Sequence, residues 1–118
     1  MLAPALTAHT DIHRHHVAIT VTGPLATAEH AASLVAACLP LPPTYGLMVN
    51  VSGVSVITDT GLNGLRDIAR AATAAGHRVA FVCSELILRA ELVLADLDLF
   101  APVLQADEQA VPVVGYAA

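Results

Sequence analysis

The sequence predicts an α/β domain: a mixed β-sheet of four to five strands with helices mainly on one face. Three observations carry this. Apolar strand-like segments alternate with segments whose apolar residues recur every three to four positions, an order that pairs strands in parallel through helical crossovers. The first two strand-like segments follow each other closely through a histidine-rich turn, so they add an antiparallel pair and make the sheet mixed. In the second of them Val17, Ile19 and Val21 alternate with Ala18, Thr20 and Thr22, so one sheet face is buried and the other lightly polar.

At 118 residues the chain holds one domain, residues 1–118, with a single core. The segment 6–12 reads as a partner strand of the alternating strand 16–23, which Gly23-Pro24 is expected to end. Thr27 then caps a helix to about Cys38 with Ala31, Leu34, Val35 and Cys38 inward, and Pro40, Pro42 and Pro43 close it. Residues 46–51 form a short buried strand. Ser52-Gly53 reads as a loop, and Val54 to Ile57 return to the strand tip.

The next helix begins near Thr60. Leu62, Leu65, Ile68, Ala69 and Ala72 form its inward stripe, Asn63, Arg66, Asp67 and Arg70 face out, and Gly76 stops it. Residues 79–83 are a strand. Ser84-Glu85 open a third helix whose inward set reads as Leu86, Ile87, Ala90, Val93, Leu94 and Leu97. Leu88, Leu92, Ala95 and Leu99 make a second apolar line on that helix, read either as a contact surface, for a homodimer or a stable partner, or as part of a broad core. Val103-Leu104 are a last short strand, before a weak helix from Asp107 that Pro112 is expected to cut off.

Composition narrows the chemistry. The chain is 56% hydrophobic and 13% charged, too apolar to be disordered. No apolar run approaches the roughly 20 residues of a membrane span, and the first residues lack the pattern of a secretory signal. Ten acidic residues face five arginines and no lysine, for a net charge of −5. Scattered arginines do not make a phosphate-tracking surface, so nucleic acid is not the expected partner. Without lysine there is no P-loop and no Schiff-base chemistry. Cys38 and Cys83 sit in apolar segments and read as buried hydrophobes in a reducing cytoplasm.

Other chemistries lack parts. His9, His13, His15 and His16 have only Asp11 nearby to complete a ligand set, so no metal is expected. Ser52, Ser84 and Cys83 stand in no nucleophile motif. An aspartyl-phosphate centre would want an acidic pair for magnesium and a lysine. No enzyme activity and no cofactor is expected.

The informative stretch is Val56 to Leu65, "VITDTGLNGL", where a strand passes three polar residues and a glycine into a helix. Together with "LMVNVSGVSV" before it and "RAELVLADLDLF" after it, this stretch resembles the STAS domain, the family of bacterial anti-sigma factor antagonists. The similarity spans about Arg14 to Leu104 and includes "VTGPL" upstream. The family carries aspartate-serine-serine/threonine-glycine-leucine at the start of this helix, and its first serine is phosphorylated by a kinase that is also the anti-sigma factor. Here the family aspartate falls on Thr58, the phosphorylated serine on Asp59, the second hydroxyl on Thr60 and the glycine on Gly61. A second family aspartate falls on Ala26.

The resemblance implies a cytoplasmic regulator that acts by binding an anti-sigma factor/serine kinase. The partner-facing corner would be Thr58, Asp59, Thr60 and Gly61 with Asn63, Arg66 and Asp67. Asp59 has no hydroxyl to phosphorylate. It reads either as a fixed negative charge in a partly phosphate-like place or as the N-cap of the helix, and the two are compatible. Thr58 and Thr60 remain candidate phosphoacceptors or simple cap and turn hydroxyls. The alternatives are an adaptor subunit of an ATPase or transporter complex that is never phosphorylated, and a small-molecule-sensing domain.

Overall fold

The computed structural model describes residues 5–115. Along the chain run β1 (Thr7–Ile12), β2 (His16–Leu25), α1 (Ala28–Cys38), β3 (Gly46–Ile57), α2 (Asp59–Ala74), β4 (Val79–Val82), α3 (Leu86–Leu94), a 3-10 turn (Leu97–Leu99), β5 (Val103–Leu104) and α4 (Asp107–Val114). The five strands lie side by side in chain order. β1 is antiparallel to β2, and the other neighbours are parallel. This is the mixed sheet that the sequence predicts.

Period-2 alternation sorts the sheet residues onto two faces. Ile19, Val21, Leu47, Val49, Val51 and Phe81 point into the main core, where Leu34 and Cys38 of α1 and Leu65 and Ile68 of α2 meet them. On the reverse face Ala18, Met48, Ala80 and Val82 pack against Ala110 and Val114 of α4. Three helices therefore cover one face and α4 alone covers part of the other. Asn50 on that second face donates to the Asp107 carboxylate at 3.0 Å, fixing the start of α4.

Several local expectations need correction. Gly23-Pro24 do not end β2, which runs to Leu25, and Ser52-Gly53 are not a loop but part of a twelve-residue β3. The pairing of β2 with β3 shifts register between Thr20 and Thr22 and again between Gly23 and Pro24, each time leaving one extra residue on β3. Gly23 takes a φ of 92°, open to glycine. At Gly53 a side chain would meet the Thr22 methyl at 2.8 Å. The glycines and proline thus mark bulges within paired strands rather than breaks. Pro112 likewise lies inside α4; the N–H it lacks would have paired the carbonyl of Glu108, and both residues are exposed.

The third helix is turned about its axis from the predicted orientation. Leu88 and Leu92 are buried, whereas Leu86, Ile87, Val93 and Leu94 are exposed, Leu94 to 83%. Of the proposed contact line only Leu99 stays on the surface. Both stripes are apolar, so periodicity could not choose between them. Nor does Ser84-Glu85 supply a side-chain cap: Glu85 is the N-cap residue and makes no capping bond.

Both cysteines are free and buried. Burial pushes the Cys38 thiol up to about 12, which removes it from thiolate chemistry. His16 is buried with an unpaired Nε2 and stacks on His13 at 4.5 Å between ring centres. Burial first, and the neighbouring His13 and His15 next, hold its imidazole below the ordinary value.

Candidate functional site

The candidate site is the corner where β3 ends and α2 begins. Its geometry starts with Thr58, whose φ of −114° and ψ of 174° make it the N-cap of α2. The Thr58 hydroxyl donates to the Ala26 carbonyl at 2.7 Å and accepts from the Gly61 N–H at 3.4 Å. The Thr58 N–H bonds the Leu25 carbonyl at 3.3 Å. One residue therefore caps the helix and ties it to the end of β2.

Two glycines let α2 come this close. A Cβ on Gly61 would lie 2.0 Å from the Leu25 carbonyl oxygen, and one on Gly64 would lie 2.9 Å from the Ala31 methyl of α1. α1 is fixed just upstream by Thr27, which accepts from the His30 N–H at 3.1 Å while the His30 ring accepts from the Thr27 and Ala26 N–H groups. His30 takes the part that glutamate or glutamine usually plays in a capping box. The backbone around Ala26 is thus held from both sides.

On this frame Asp59 and Thr60 are the first two residues of α2, and both are exposed. Asp59 is not the N-cap, correcting one of the two readings of its role. It instead places a carboxylate in the first turn, where the unpaired N–H groups and the helix dipole favour negative charge. Thr58 and Thr60 differ sharply. The Thr58 hydroxyl is committed to two hydrogen bonds, whereas Thr60 stands open to solvent on the rim of a cleft of about 470 Å³ between α1 and α2.

Asn63 and Asp67 continue the exposed face of α2. Arg66 does not. Its guanidinium donates to Asn63 Oδ1 and to the Ala95 carbonyl, each at 2.7 Å, pinning α2 to the end of α3. Arg70 lies over the Phe100 ring at 4.9 Å and serves the same junction. On the other side of the corner, Val56, Ile57, Ile87, Glu85 and Glu91 border a second cleft of about 290 Å³. Val56 and Ile87 are 50% and 70% exposed. The cleft beside the strand end that leads to Asp59 is therefore acidic, with apolar residues set into it.

The structure brings Thr58, Asp59, Thr60, Asn63 and Asp67 to one ridge, with Gly61 buried beneath it. It does not bring Leu88 or Leu92 to any surface. Sequence reasoning missed Val56, Leu86 and Ile87, whose only signal was an excess of apolar residues. It also missed the Ala26 carbonyl, for which a sequence carries no signal. Among the described residues no group of three or more His, Cys, Asp or Glu is placed to hold a metal ion, and no helix is long and apolar enough to cross a membrane.

Thr58→Ala removes a cap and a tie between elements. The expected loss is about 1–2 kcal/mol of unfolding free energy, measured by urea denaturation. Thr58→Ser, which keeps the hydroxyl, is expected to retain most of it.

No family model matches the chain, and no curated protein sequence matches it. Solved structures do. An anti-sigma factor antagonist from Mycobacterium paratuberculosis superposes with a TM-score of 0.74 at 19% identity, over 95% of this chain and 96% of that one. The protein TM1081, solved by NMR, gives 0.73 at 18% identity over 87% and 84% of the two chains. The anti-sigma factor antagonist SpoIIAA in its unphosphorylated form gives 0.61 at 16% over 92% and 96%. The chain has the STAS fold of the anti-sigma factor antagonists.

Proposed function

We propose that the chain is an anti-sigma factor antagonist-like regulator that works by protein contact through the α2 corner, with a fixed charge where its relatives carry a switch. The observation that carries this is the exposed Asp59 at the first position of α2, on a corner locked by Thr58. A phosphoserine would bring about −1.5 to −2 charges to such a place; Asp59 brings one and cannot be relieved of it by a phosphatase. The acidic, partly apolar cleft beside the strand end that leads to it suits a partner with basic and apolar groups. Its partner would be an anti-sigma factor/serine kinase, and the exchange would take place in the cytoplasm without cofactor or catalysis.

Calorimetry against candidate serine-kinase anti-sigma factors tests the reading. The wild-type protein is expected to bind with an affinity that ATP does not lower through phosphorylation at residue 59. Asp59→Ser is expected to gain one phosphate at that residue by mass spectrometry and then to bind more weakly. Absence of binding by both proteins would sink the role.

A second reading, an adaptor in an ATPase or transporter complex, draws on the exposed apolar residues of α3. Leu86, Ile87 and Leu94 are 67%, 70% and 83% exposed on one short helix, the kind of grouped apolar exposure that marks a contact surface. An ATPase that co-purifies stoichiometrically, and is lost on Ile87→Glu, would decide for it.

A further inference from the structure

Among the described residues β1 is the open edge of the sheet. Its register with β2 is unbroken from Thr7 to Ile12, and β2 occupies only one side. All six residues are exposed, Ile12 to 71%. Edge strands are ordinarily protected by lysine, proline, a bulge or a covering element. β1 has no lysine, proline or bulge, among the described residues no element covers it, and its one carboxylate, Asp11, is paired with the His9 imidazole at 3.3 Å.

That spacing is self-complementary. Ala8, Thr10 and Ile12 stand opposite Val21, Ile19 and Val17 and so share their helix-side face; Thr7, His9 and Asp11 share the other. If two copies of β1 pair antiparallel about a two-fold axis at Thr10, His9 meets the second copy's Asp11, and Asp11 its His9. On the opposite face Ile12 meets the second copy's Ala8. The two His9–Asp11 pairs close into a square of alternating imidazole and carboxylate, and Ile12 gains apolar cover. Shifting the register by one residue in either direction would instead set His9 and Asp11 against threonine, alanine or isoleucine.

We propose that β1 is a homodimerisation edge, pairing antiparallel with a second copy of this chain about Thr10 into one continuous ten-stranded sheet, five strands from each copy. The observation behind it is the exposed strand whose imidazole and carboxylate complement their own two-fold image. A six-residue edge buries little area, so the dimer is reversible, and α2 stays free at its corner for another partner. The inference does not depend on the anti-sigma role.

Sedimentation velocity across the micromolar range tests it, with two variants at exposed positions. Asp11→Lys opposes lysine to histidine across the edge, and His9→Glu opposes glutamate to aspartate. Each alone is expected to dissociate the dimer by about tenfold or more. Mixing the two in equal amounts is expected to restore it, because lysine then faces glutamate although neither chain has its internal pair. A wild-type protein that is monomeric throughout, singles that dimerise like wild type (an interface elsewhere, such as α3), or a mixture that stays monomeric would each overturn the proposal. Far-ultraviolet circular dichroism of the variants confirms that they are folded.

Discussion

Gly61→Ala is expected to damage both stability and the functional corner, although it adds one methyl group. That methyl would lie 2.0 Å from the Leu25 carbonyl oxygen, less than any non-bonded carbon and oxygen tolerate. A flexible side chain could move aside; a strand carbonyl that already accepts the Thr58 N–H cannot do so alone. Either α2 lifts off the sheet or the end of β2 shifts, and in both cases the bond from Thr58 to Ala26 is strained. Overpacking of this kind costs about 1–3 kcal/mol and sometimes more. Chemical denaturation measures the loss, and partner calorimetry should show binding fall with it. Gly76→Ala provides the contrast. There a Cβ meets nothing within 4 Å, and the cost comes only from the φ of 89°, so the corner should stay intact and only stability should drop.

Phe81→Ala should cost the most stability of any single truncation considered. Phe81 is the largest fully buried side chain, at the centre of β4 with no exposed area. Its strand is held on both sides, paired to Val49 of β3 and Val103 of β5, so the walls of the cavity cannot easily close. Phenylalanine truncation in such a site costs about 3–5 kcal/mol, a large part of the 5–15 kcal/mol typical of a domain. Thermal unfolding should show it directly. Phe81→Leu, which refills most of the volume, should recover well over half.

Much of the fold was legible because its strongest signals are periodic. The alternation in β2 and the stripe of α2 named the residues that the core contains, Ile19, Val21, Leu65 and Ile68 among them. Thr27 and Gly76 announced one helix start and one helix stop through plain backbone chemistry. What failed was local and had two causes. Glycine and proline in β2 and β3 look alike whether they end a strand or bulge it, and only the neighbouring strand decides. On α3 both faces are apolar, and only the core that Leu88 and Leu92 join distinguishes them from Leu86 and Leu94. The candidate corner stood out in the sequence as a motif, but the hydroxyl that ties its backbone together belongs to Thr58, and its partner is a backbone carbonyl that any residue would supply.

The strand order has a consequence for how the protein is made. Every strand after the first pairs with the strand synthesised just before it, so each β-α unit can dock as it leaves the ribosome, without waiting for a distant partner. Each parallel pair still closes a separation of 22 to 32 residues, the kind of pairing that forms slowly and leaves apolar strands bare while it does. α4, which follows all five strands, must reach back to β3 and β4 to seal the second face. A chain stalled before Asp107 would therefore carry a finished sheet with Met48 and Val82 uncovered, a species for chaperones to hold until α4 is made.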